Sequence, residues 1–341
     1  MSKTYRRIVL ASRPTGWVMP ENFRLETLPI PSPGPNEVLV RNHYLSLDPY
    51  MRGRMNEGKS YAQPQEIGAT MIGATVGEVV ASHHRAFTVG NHVRGMLGWS
   101  EFGVVNGKAL ERIDTRKIPM SAYLGIVGMP GMAAWYGYHK ILAPKAGETL
   151  VVSAASGAVG SVVGQLAKLG GLRAVGIAGG PEKCRYVTDE LGFDACVDYR
   201  GAKDAEALTQ ALRIAAPKGV DAHFENVGGD ALNAVMNLLN PFARVAICGL
   251  ISDYNNERGV VPHSAIRNPA VFLVARIKMQ GFIVSDHLEL WPQGLTDLGA
   301  LLVAGKLKFR ETIAENLARA PEAFIGLLRG RNVGKQIVKL V

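Results

Sequence analysis

Cysteine is scarce in this chain of 341 residues, and three cysteines exclude a disulfide-stapled fold. They are also too scattered along the sequence to form a zinc-ligand cluster. No run of five or more basic residues is present, although the net charge is +9. Because Lys and Arg are spread over the whole chain, this charge alone does not indicate a nucleic-acid partner.

Candidate membrane segments are equally scarce. Residues 118–139 contain no Asp, Glu, Lys or Arg, but Pro119, Pro130 and several glycines interrupt them. A membrane helix needs about 20 continuous apolar residues, so we interpret this stretch as buried chain at a domain junction. The basic N-terminus lacks the apolar segment of a secretory signal. We therefore expect a soluble, cytoplasmic protein with no membrane partner.

Several catalytic signatures are absent as well. The sequence has no Gly-His-Glu signature of zinc alcohol dehydrogenases, no G-x-S-x-G elbow and no P-loop Gly-Lys-Ser/Thr. His83 and His84 are adjacent, and adjacent residues on a strand point to opposite faces. These absences disfavour a zinc enzyme, a serine hydrolase and a P-loop nucleotidase, and we predict no metal site.

The first part of the chain is rich in short β-branched runs that turn residues separate. Such spacing predicts a small β-barrel or sandwich. The predicted strands are 6–11, 37–44, 75–81, 92–96 and 101–105. Four prolines and a glycine in residues 28–35 forbid regular structure between the first two strands.

The pattern changes to alternating strands and helices between residues 148 and 251. Predicted strands are 149–152, 174–178, 195–198, 220–224 and 245–249, with helices at 159–169, 182–191 and 205–215. This alternation predicts an α/β fold with a doubly wound parallel (Rossmann) sheet. Helices at 291–304 and 320–329 and a strand at 336–341 follow.

A glycine-rich turn carries the clearest chemical signal. It follows the predicted strand 149–152 and opens the next helix, which is the context of a dinucleotide-binding turn. Gly157, Ala158, Val159 and Gly160 would bring backbone N–H groups at the helix start to a pyrophosphate. The alternative is a turn that only packs tightly, but the strand–turn–helix setting favours dinucleotide binding.

The end of the second strand indicates which dinucleotide binds. An NAD site usually has an acidic residue about 20 residues past the first glycine, where it contacts the adenosine ribose. Residues 176–181 contain no acid, and Glu182 falls inside the next helix. Lys183 and Arg185 can pair with a ribose 2′-phosphate, so NADPH is the predicted cofactor. The alternative is that both cations are ordinary solvated helix residues.

Eight short segments in a fixed order carry a family resemblance. They are Leu45–Arg54, Gly128–Met132, Ala154–Gly164, Gly179–Lys183, Glu225–Gly229, Cys248–Asn255, Gly281–Ser285 and Gly330–Lys335. In these segments the chain resembles zinc-independent medium-chain dehydrogenases/reductases. The resemblance is closest to the group of prostaglandin reductases, leukotriene dehydrogenases, alkenal double-bond reductases and bacterial NADPH-dependent curcumin reductases.

The resemblance implies a Rossmann domain inserted into a GroES-like β-rich domain. The implied boundaries are 1–126 and 304–341 for the GroES-like parts and 127–303 for the NADPH-binding domain. It also implies a homodimer. The cofactor-binding residues that it implies are Gly157, Ala158, Val159, Gly160, Lys183, Tyr199, Asn226, Cys248, Ile251, Ser252, Tyr254, Phe282, Val284 and Asn332.

The activity that the resemblance implies is reduction of the C=C double bond of an α,β-unsaturated ketone or aldehyde. A hydride would reach the β-carbon, and negative charge would develop on the carbonyl oxygen. Donors aimed at that oxygen would lower the barrier. Tyr254 and the nicotinamide ribose hydroxyl are the candidate donors, and water or a tyrosine would protonate the enolate. Tyr50 is the second candidate tyrosine, with a packing residue in a Pro-Tyr turn as its alternative.

Two other functions stay open on the sequence. A quinone oxidoreductase of the same superfamily would reduce a quinone ring. A relative that keeps the cofactor site without catalysis, with or without RNA binding, would fit the basic charge. The Leu45–Tyr50 motif and the Ser252–Asn255 loop favour the enone or enal reductase over the quinone reductase, and Tyr254 argues against a relative without catalysis. We therefore expect a small-molecule substrate and no nucleic-acid partner.

Overall fold

A computed structural model describes residues 3–58, 60–256 and 261–341. Their contacts divide the chain into a β-rich unit, Met1–Gly125 with Glu311–Val341, and an inserted unit, Ile126–Arg310. The chain returns to the β-rich unit at Glu311, later than the predicted start of this part at residue 304. The backbone of Lys308 accepts from and donates to the Gln165 side chain at 2.9 and 2.7 Å, which holds this part of the chain in the inserted unit.

Strands dominate the β-rich unit, whereas helices alternate with strands in the inserted unit. Before the inserted unit the described chain forms β1 (Thr4–Leu10), β2 (Phe23–Pro29), β3 (Glu37–Ser46), α1 (Tyr50–Arg54), β4 (Thr75–Ser82), β5 (His92–Gly95), β6 (Phe102–Asn106) and β7 (Glu111–Arg112). The inserted unit contains α2 (Met129–Tyr136), β8 (Thr149–Ser153), α3 (Gly160–Leu169), β9 (Arg173–Ala178), α4 (Pro181–Arg185), β10 (Ala195–Asp198), α5 (Ala205–Ala215), β11 (Val220–Glu225), α6 (Gly229–Met236), β12 (Leu239–Ile247), α7 (Ala270–Val274), β13 (Lys278–Gly281) and α8 (Trp291–Val303). After it come β14 (Glu311–Glu315), α9 (Ala320–Leu328) and β15 (Lys335–Lys339). Short 3₁₀ helices occupy Pro20–Asn22, Gly107–Ala109, Met120–Leu124, Ile251–Asp253, Val284–Leu290 and Leu317–Arg319, and π-helical turns occupy Gly137–Leu142 and Tyr186–Glu190.

The β-rich unit contains a two-stranded antiparallel sheet, β1-β2, and a larger sheet in the order β14-β15-β3-β4-β5-β7, with β6 also paired to β3. In the larger sheet β14 and β15 are parallel, and the other neighbours are antiparallel. Apolar residues on β3, β4 and β5 form one core, including Val38, Val40, Val79 and Val93. Because β15 pairs with β3, the C-terminal part of the chain completes the sheet that the N-terminal part begins.

The inserted unit is built on a parallel sheet in the order β10-β9-β8-β11-β12-β13. β8 is buried along its whole length, as expected for a strand covered on both faces. The strand order reverses between β8 and β11, and ligands of such sheets bind at the carboxyl ends of the strands at this point. The predicted fold class, a doubly wound parallel sheet inserted into a β-rich domain, is confirmed.

β12 begins earlier than the sequence predicts. The expected strand covers 245–249, whereas the observed strand covers Leu239–Ile247. Pro241, which cannot donate to a ladder, lies near its start. The pairing of β12 with β11 skips this proline, since the register moves directly from Leu239 to Arg244.

The uncharged stretch 118–139 contains a short buried helix, α2. All but one of its eight residues are buried, which agrees with the interpretation of this stretch as interior chain. In the ranges that the structure describes, no helix has both the length and the apolarity that crossing a bilayer requires.

A buried ion pair joins β15 to the loop after β3. Lys335 Nζ lies 2.9 Å from Asp48 Oδ1 and donates to the carbonyl of Leu47 at 2.6 Å. The two charged side chains are only 4% and 6% exposed. Ser46 Oγ donates to the other carboxylate oxygen of Asp48. This network fixes the loop that leads directly into α1 and Tyr50.

Lys335→Met should destabilise the β-rich unit strongly, because it leaves the Asp48 carboxylate buried without its cation. Removal of one partner of a buried pair costs about 3–5 kcal/mol. Chemical denaturation measures this change in the free energy of unfolding. Arg319→Gln breaks the exposed Arg319–Glu322 pair and should leave stability unchanged within error. Equal effects of the two substitutions would contradict the structural role of the buried pair.

Candidate functional site

The glycine-rich turn lies at the carboxyl end of β8. Ala154 adopts the left-handed region with φ +49°, and its carbonyl accepts a hydrogen bond from Gly157 N at 2.9 Å. A Cβ on Gly160 would lie 2.4 Å from the carbonyl oxygen of Ala154. Glycine at position 160 therefore lets α3 begin directly against the turn.

The start of α3 presents backbone donors. The carbonyls of Gly157 and Val159 accept from Ser161, Val162 and Val163. Within the described ranges no group accepts from the N–H groups of Ala158, Val159 or Gly160. Residues 157–159 are half-exposed. A helix start of this kind, on a helix of ten residues, fits the pyrophosphate of a dinucleotide.

A second group of residues lies at the carboxyl ends of β9 and β10. Asp198 accepts from Gly180 N at 2.7 Å and from Arg200 N at 3.0 Å, which fixes both loops. A Cβ on Gly179 would lie 2.9 Å from the ring of Tyr199. The guanidinium of Arg200 lies 5.9 Å from the centre of the same ring. The loops therefore bring Tyr199 and Arg200 against Gly179.

Lys183 on α4 is half-buried beside this group. Burial lowers the pKa of Lys183, and the positive charge of Arg200 lowers it further. Two cations that repel each other in this way are suited to an anion such as a ribose 2′-phosphate. Sequence reasoning did not identify Arg200. Its position just after Tyr199, past the end of β10, could have indicated a place in the same site. Arg185, the other cation predicted for this phosphate, is exposed on the same helix.

Asn226 lies where β11 ends, next to β8. Its backbone N–H donates to Ser153 Oγ at 2.7 Å, and its Nδ2 donates to the carbonyl of Ser153 at 2.8 Å. The carbonyl of Asn226 accepts from Ile251 N at 3.2 Å, and that of Val227 accepts from Ser252 N at 2.9 Å. The structure thus brings the predicted residues Asn226, Ile251 and Ser252 together.

A buried carboxylate supports these contacts. Glu225 Oε1 accepts from Ser153 Oγ at 2.6 Å, and Glu225 Oε2 lies 2.7 Å from His223 Nε2. The same Oε1 also accepts from the backbone of Val227 and Gly228. Burial acts to raise the pKa of Glu225, but His223 and these hydrogen bonds hold it below its usual value. Sequence reasoning did not assign Glu225 a role, although Glu225 opens one of the eight segments of the family resemblance, because its contacts with Ser153 and His223 cannot be read from the sequence.

Cys248 follows β12 and donates its backbone N–H to the carbonyl of Glu225 at 2.9 Å. Burial raises the pKa of the Cys248 thiol to about 12, and the nearby charge of Glu225 acts in the same direction. The thiol is therefore neutral near pH 7. This agrees with a role of Cys248 through its backbone and not through a thiolate.

Tyr254 lies on the turn after Cys248 and is half-buried. Its hydroxyl accepts from Leu250 N at 3.4 Å, and a Cβ on Gly249 would lie 3.1 Å from it. Asp253 fixes this turn by accepting from His263 N at 2.7 Å and Ser264 N at 3.1 Å. The tyrosine hydroxyl therefore lies over the carboxyl end of β12, on a turn that a carboxylate braces.

Phe282 and Val284 follow β13 at the same edge of the sheet. Phe282 N donates to the carbonyl of Ile247 at 3.3 Å, and its ring packs 5.4 Å from that of Tyr136. Val284 is buried, and its carbonyl accepts from Trp291 at 3.2 Å. The backbone at residues 282–284 is thus held beside the end of β12.

Tyr50 and Asn332 belong to the β-rich unit, whereas the other predicted site residues belong to the inserted unit. Tyr50 begins α1 and is half-buried; burial and the neighbouring Asp48 raise the pKa of its hydroxyl. Asn332 is buried, and its Nδ2 donates to the carbonyl of Gly334 at 2.8 Å. Because the pKa of the Tyr50 hydroxyl is raised, this group is neutral near pH 7 and keeps its proton.

Two protein-family models match the chain. Residues 6–113 match the N-terminal domain of oxidoreductase, and residues 158–300 match the zinc-binding dehydrogenase family. Among the residues that the structure describes, no group of three or more His, Cys, Asp or Glu side chains could hold a metal ion.

Similar proteins match over nearly the whole chain. The NADPH-dependent curcumin reductase of Escherichia coli is 45% identical, over 98% of this chain and 96% of that protein. The NADP⁺-dependent 2-alkenal reductase of Nicotiana tabacum is 40% identical, over 98% and 96%. The crystal structure of CurA from Vibrio vulnificus in complex with NADPH is 45% identical and has a TM-score of 0.92, with 98% of this chain and 99% of that chain covered.

Proposed function

The chain belongs to the medium-chain dehydrogenase/reductase family, and we propose that it uses NADPH to reduce the C=C double bond of α,β-unsaturated ketones and aldehydes. It is an oxidoreductase, as its full-length relatives are. One observation carries the proposal. The glycine turn, the Lys183 site and Tyr254 all lie at the carboxyl edge of one parallel sheet, whose strand order reverses between β8 and β11.

The prediction that NADPH is the cofactor is confirmed by the NADPH-dependent relatives and by the similar chain crystallised with NADPH. The residues present here fit it. The N–H groups at residues 158–160 suit the pyrophosphate, and the cations Lys183 and Arg200 suit a 2′-phosphate. When bound, NADPH supplies the hydride that the β-carbon of the substrate accepts.

The remaining predicted residues would hold the two ends of the cofactor. Tyr199 would lie against the adenosine. The nicotinamide end would meet Asn226, Cys248, Ile251, Ser252, Tyr254, Phe282 and Val284, where the Glu225 network holds the backbone in place. Asn332 would close the phosphate side, as the family resemblance implies.

Tyr254 has the chemistry to stabilise the substrate oxygen. A tyrosine hydroxyl is both a donor and an acceptor, so Tyr254 has a proton with which to bind a carbonyl oxygen. Donation to the carbonyl oxygen offsets the negative charge that develops as the β-carbon accepts hydride. Tyr254 is thus proposed as the principal donor. Tyr50, whose hydroxyl is neutral near pH 7, is the second candidate for protonating the enolate.

The oligomeric state and the cellular location stay predictions. The family resemblance implies a homodimer, and the sequence implies a cytoplasmic protein.

Lys183→Ala should raise the KM for NADPH about 10- to 100-fold, because it removes a charged contact to the 2′-phosphate. The KM for NADH should change little, since NADH lacks this phosphate. Steady-state kinetics with each cofactor measure both values. Arg213→Ala, at an exposed position of α5 outside the proposed site, is the matched comparison and should retain the preference for NADPH. An equal rise for both cofactors with Lys183→Ala would remove the 2′-phosphate assignment.

Tyr254→Phe should lower kcat about 100- to 1000-fold, the usual cost of removing one donor to a developing oxyanion. The Kd for NADPH should change little, and fluorescence titration measures it. Tyr50→Phe, assayed in parallel, separates the two candidate tyrosines. Tyr5→Phe removes a hydroxyl on β1 and serves as the control with unchanged kcat. An unchanged kcat for Tyr254→Phe would exclude this residue from the mechanism.

A further inference from the structure

Two of the three cysteines meet in the inserted unit. Cys184 lies on α4, and Cys196 lies on β10, at the edge of the parallel sheet. Their sulfur atoms are 3.0 Å apart, and both are free thiols. They are twelve positions apart in the sequence, so packing of α4 on the sheet edge creates this dithiol.

Neighbouring residues leave room for the sulfur of Cys196. Cys196 pairs with Gly176 on β9. A Cβ at position 176 would lie only 3.3 Å from Cys196 Sγ, so the glycine provides the space that this sulfur occupies. Both cysteines are half-exposed, so a small oxidant dissolved in water can reach them. The Cys196 thiol donates to Cys184 Sγ, and this hydrogen bond lowers the pKa of Cys184. Cys184 is therefore the more nucleophilic sulfur of the pair.

The dithiol is joined directly to the residues proposed to bind the 2′-phosphate. Cys184 follows Lys183 on α4. Cys196 is two residues before Asp198, whose carboxylate accepts from Gly180 N at the start of α4 and from Arg200 N. A disulfide has an S–S length of about 2 Å, so closure would bring the two sulfur atoms about 1 Å closer and would pull α4 towards β10. Because Lys183 is next to Cys184 and Arg200 is held by Asp198, this pull would change the spacing between the two cations.

We propose that Cys184 and Cys196 are a redox-sensitive dithiol, and that their oxidation to a disulfide weakens NADPH binding at the Lys183 site. This inference rests on the proposed use of NADPH by the inserted unit. It adds a reversible control on the affinity for the cofactor. The control acts on the 2′-phosphate and leaves the nicotinamide end of the site unchanged.

Hydrogen peroxide is the oxidant that balances the reaction. The Cys184 thiolate attacks one peroxide oxygen and becomes a sulfenic acid, while the second oxygen leaves as water after taking up a proton. The Cys196 thiol then attacks the sulfenic sulfur, the S–S bond forms, and a second water leaves. Two thiols lose two electrons in total, and one hydrogen peroxide is reduced to two waters.

The test uses the full-length protein, reduced and then treated with stoichiometric hydrogen peroxide. Mass spectrometry should show the loss of two hydrogens and a cross-linked peptide containing Cys184 and Cys196. Fluorescence titration should show a Kd for NADPH about tenfold higher than in the reduced protein, as expected for a weakened charged contact. The Kd for NADH should change little, and dithiothreitol should restore the original affinity.

The double variant C184S/C196S is the matched control, since it retains Cys248 alone. Its Kd for NADPH should not respond to peroxide. Circular dichroism of the oxidised wild-type protein should show that the fold is intact. Absence of the disulfide would overturn the proposal, as would a disulfide without loss of NADPH affinity or with an equal loss for NADH. A reduced protein without preference for NADPH would instead contradict the proposed function, so the two failures are distinguishable.

Discussion

The hydrogen bonds of the buried Glu225 carboxylate hold the rest of the site in place. It lies fully buried between the ends of β8 and β11, where it accepts from Ser153 Oγ and pairs with His223. The backbone carbonyl of Glu225 also accepts hydrogen bonds from the N–H groups of Cys248 and Gly249, which follow β12. One residue therefore fixes the ends of three neighbouring strands. A buried charge is tolerated only when it is paired and hydrogen-bonded, so the surrounding groups are constrained to these positions.

The neighbouring parts of the site extend from this centre by short backbone contacts. Ser153 holds Asn226, and Asn226 holds the turn at Ile251 through its carbonyl. That turn presents Tyr254, while Asp253 braces it from the opposite direction along the chain. The glycine turn begins directly after Ser153, the last residue of β8. A substitution at the strand ends would therefore change the proposed cofactor and substrate contacts together, since the same backbone serves both.

The sequence predicts most of the sheet because parallel strands buried on both faces are continuous apolar runs. The glycine turn is also readable, since its spacing and its place between strand and helix are both local. Three features were not predicted, and each has a physical reason. Pro241 lies in β12 only because the ladder skips it. Glu225 is identified by its buried partners, and Cys184 meets Cys196 through packing of α4 against β10. Contacts between residues distant in sequence leave no pattern along the chain.

The identity of the reduced product tests the central claim most directly. The protein would be incubated with an aromatic enone and NADPH deuterated at C4 of the nicotinamide, and NMR would identify the product. A saturated ketone with deuterium on the former β-carbon and an intact carbonyl is the predicted result. An allylic alcohol, with deuterium on the former carbonyl carbon, would contradict the account, as would turnover of a quinone without turnover of any enone or enal.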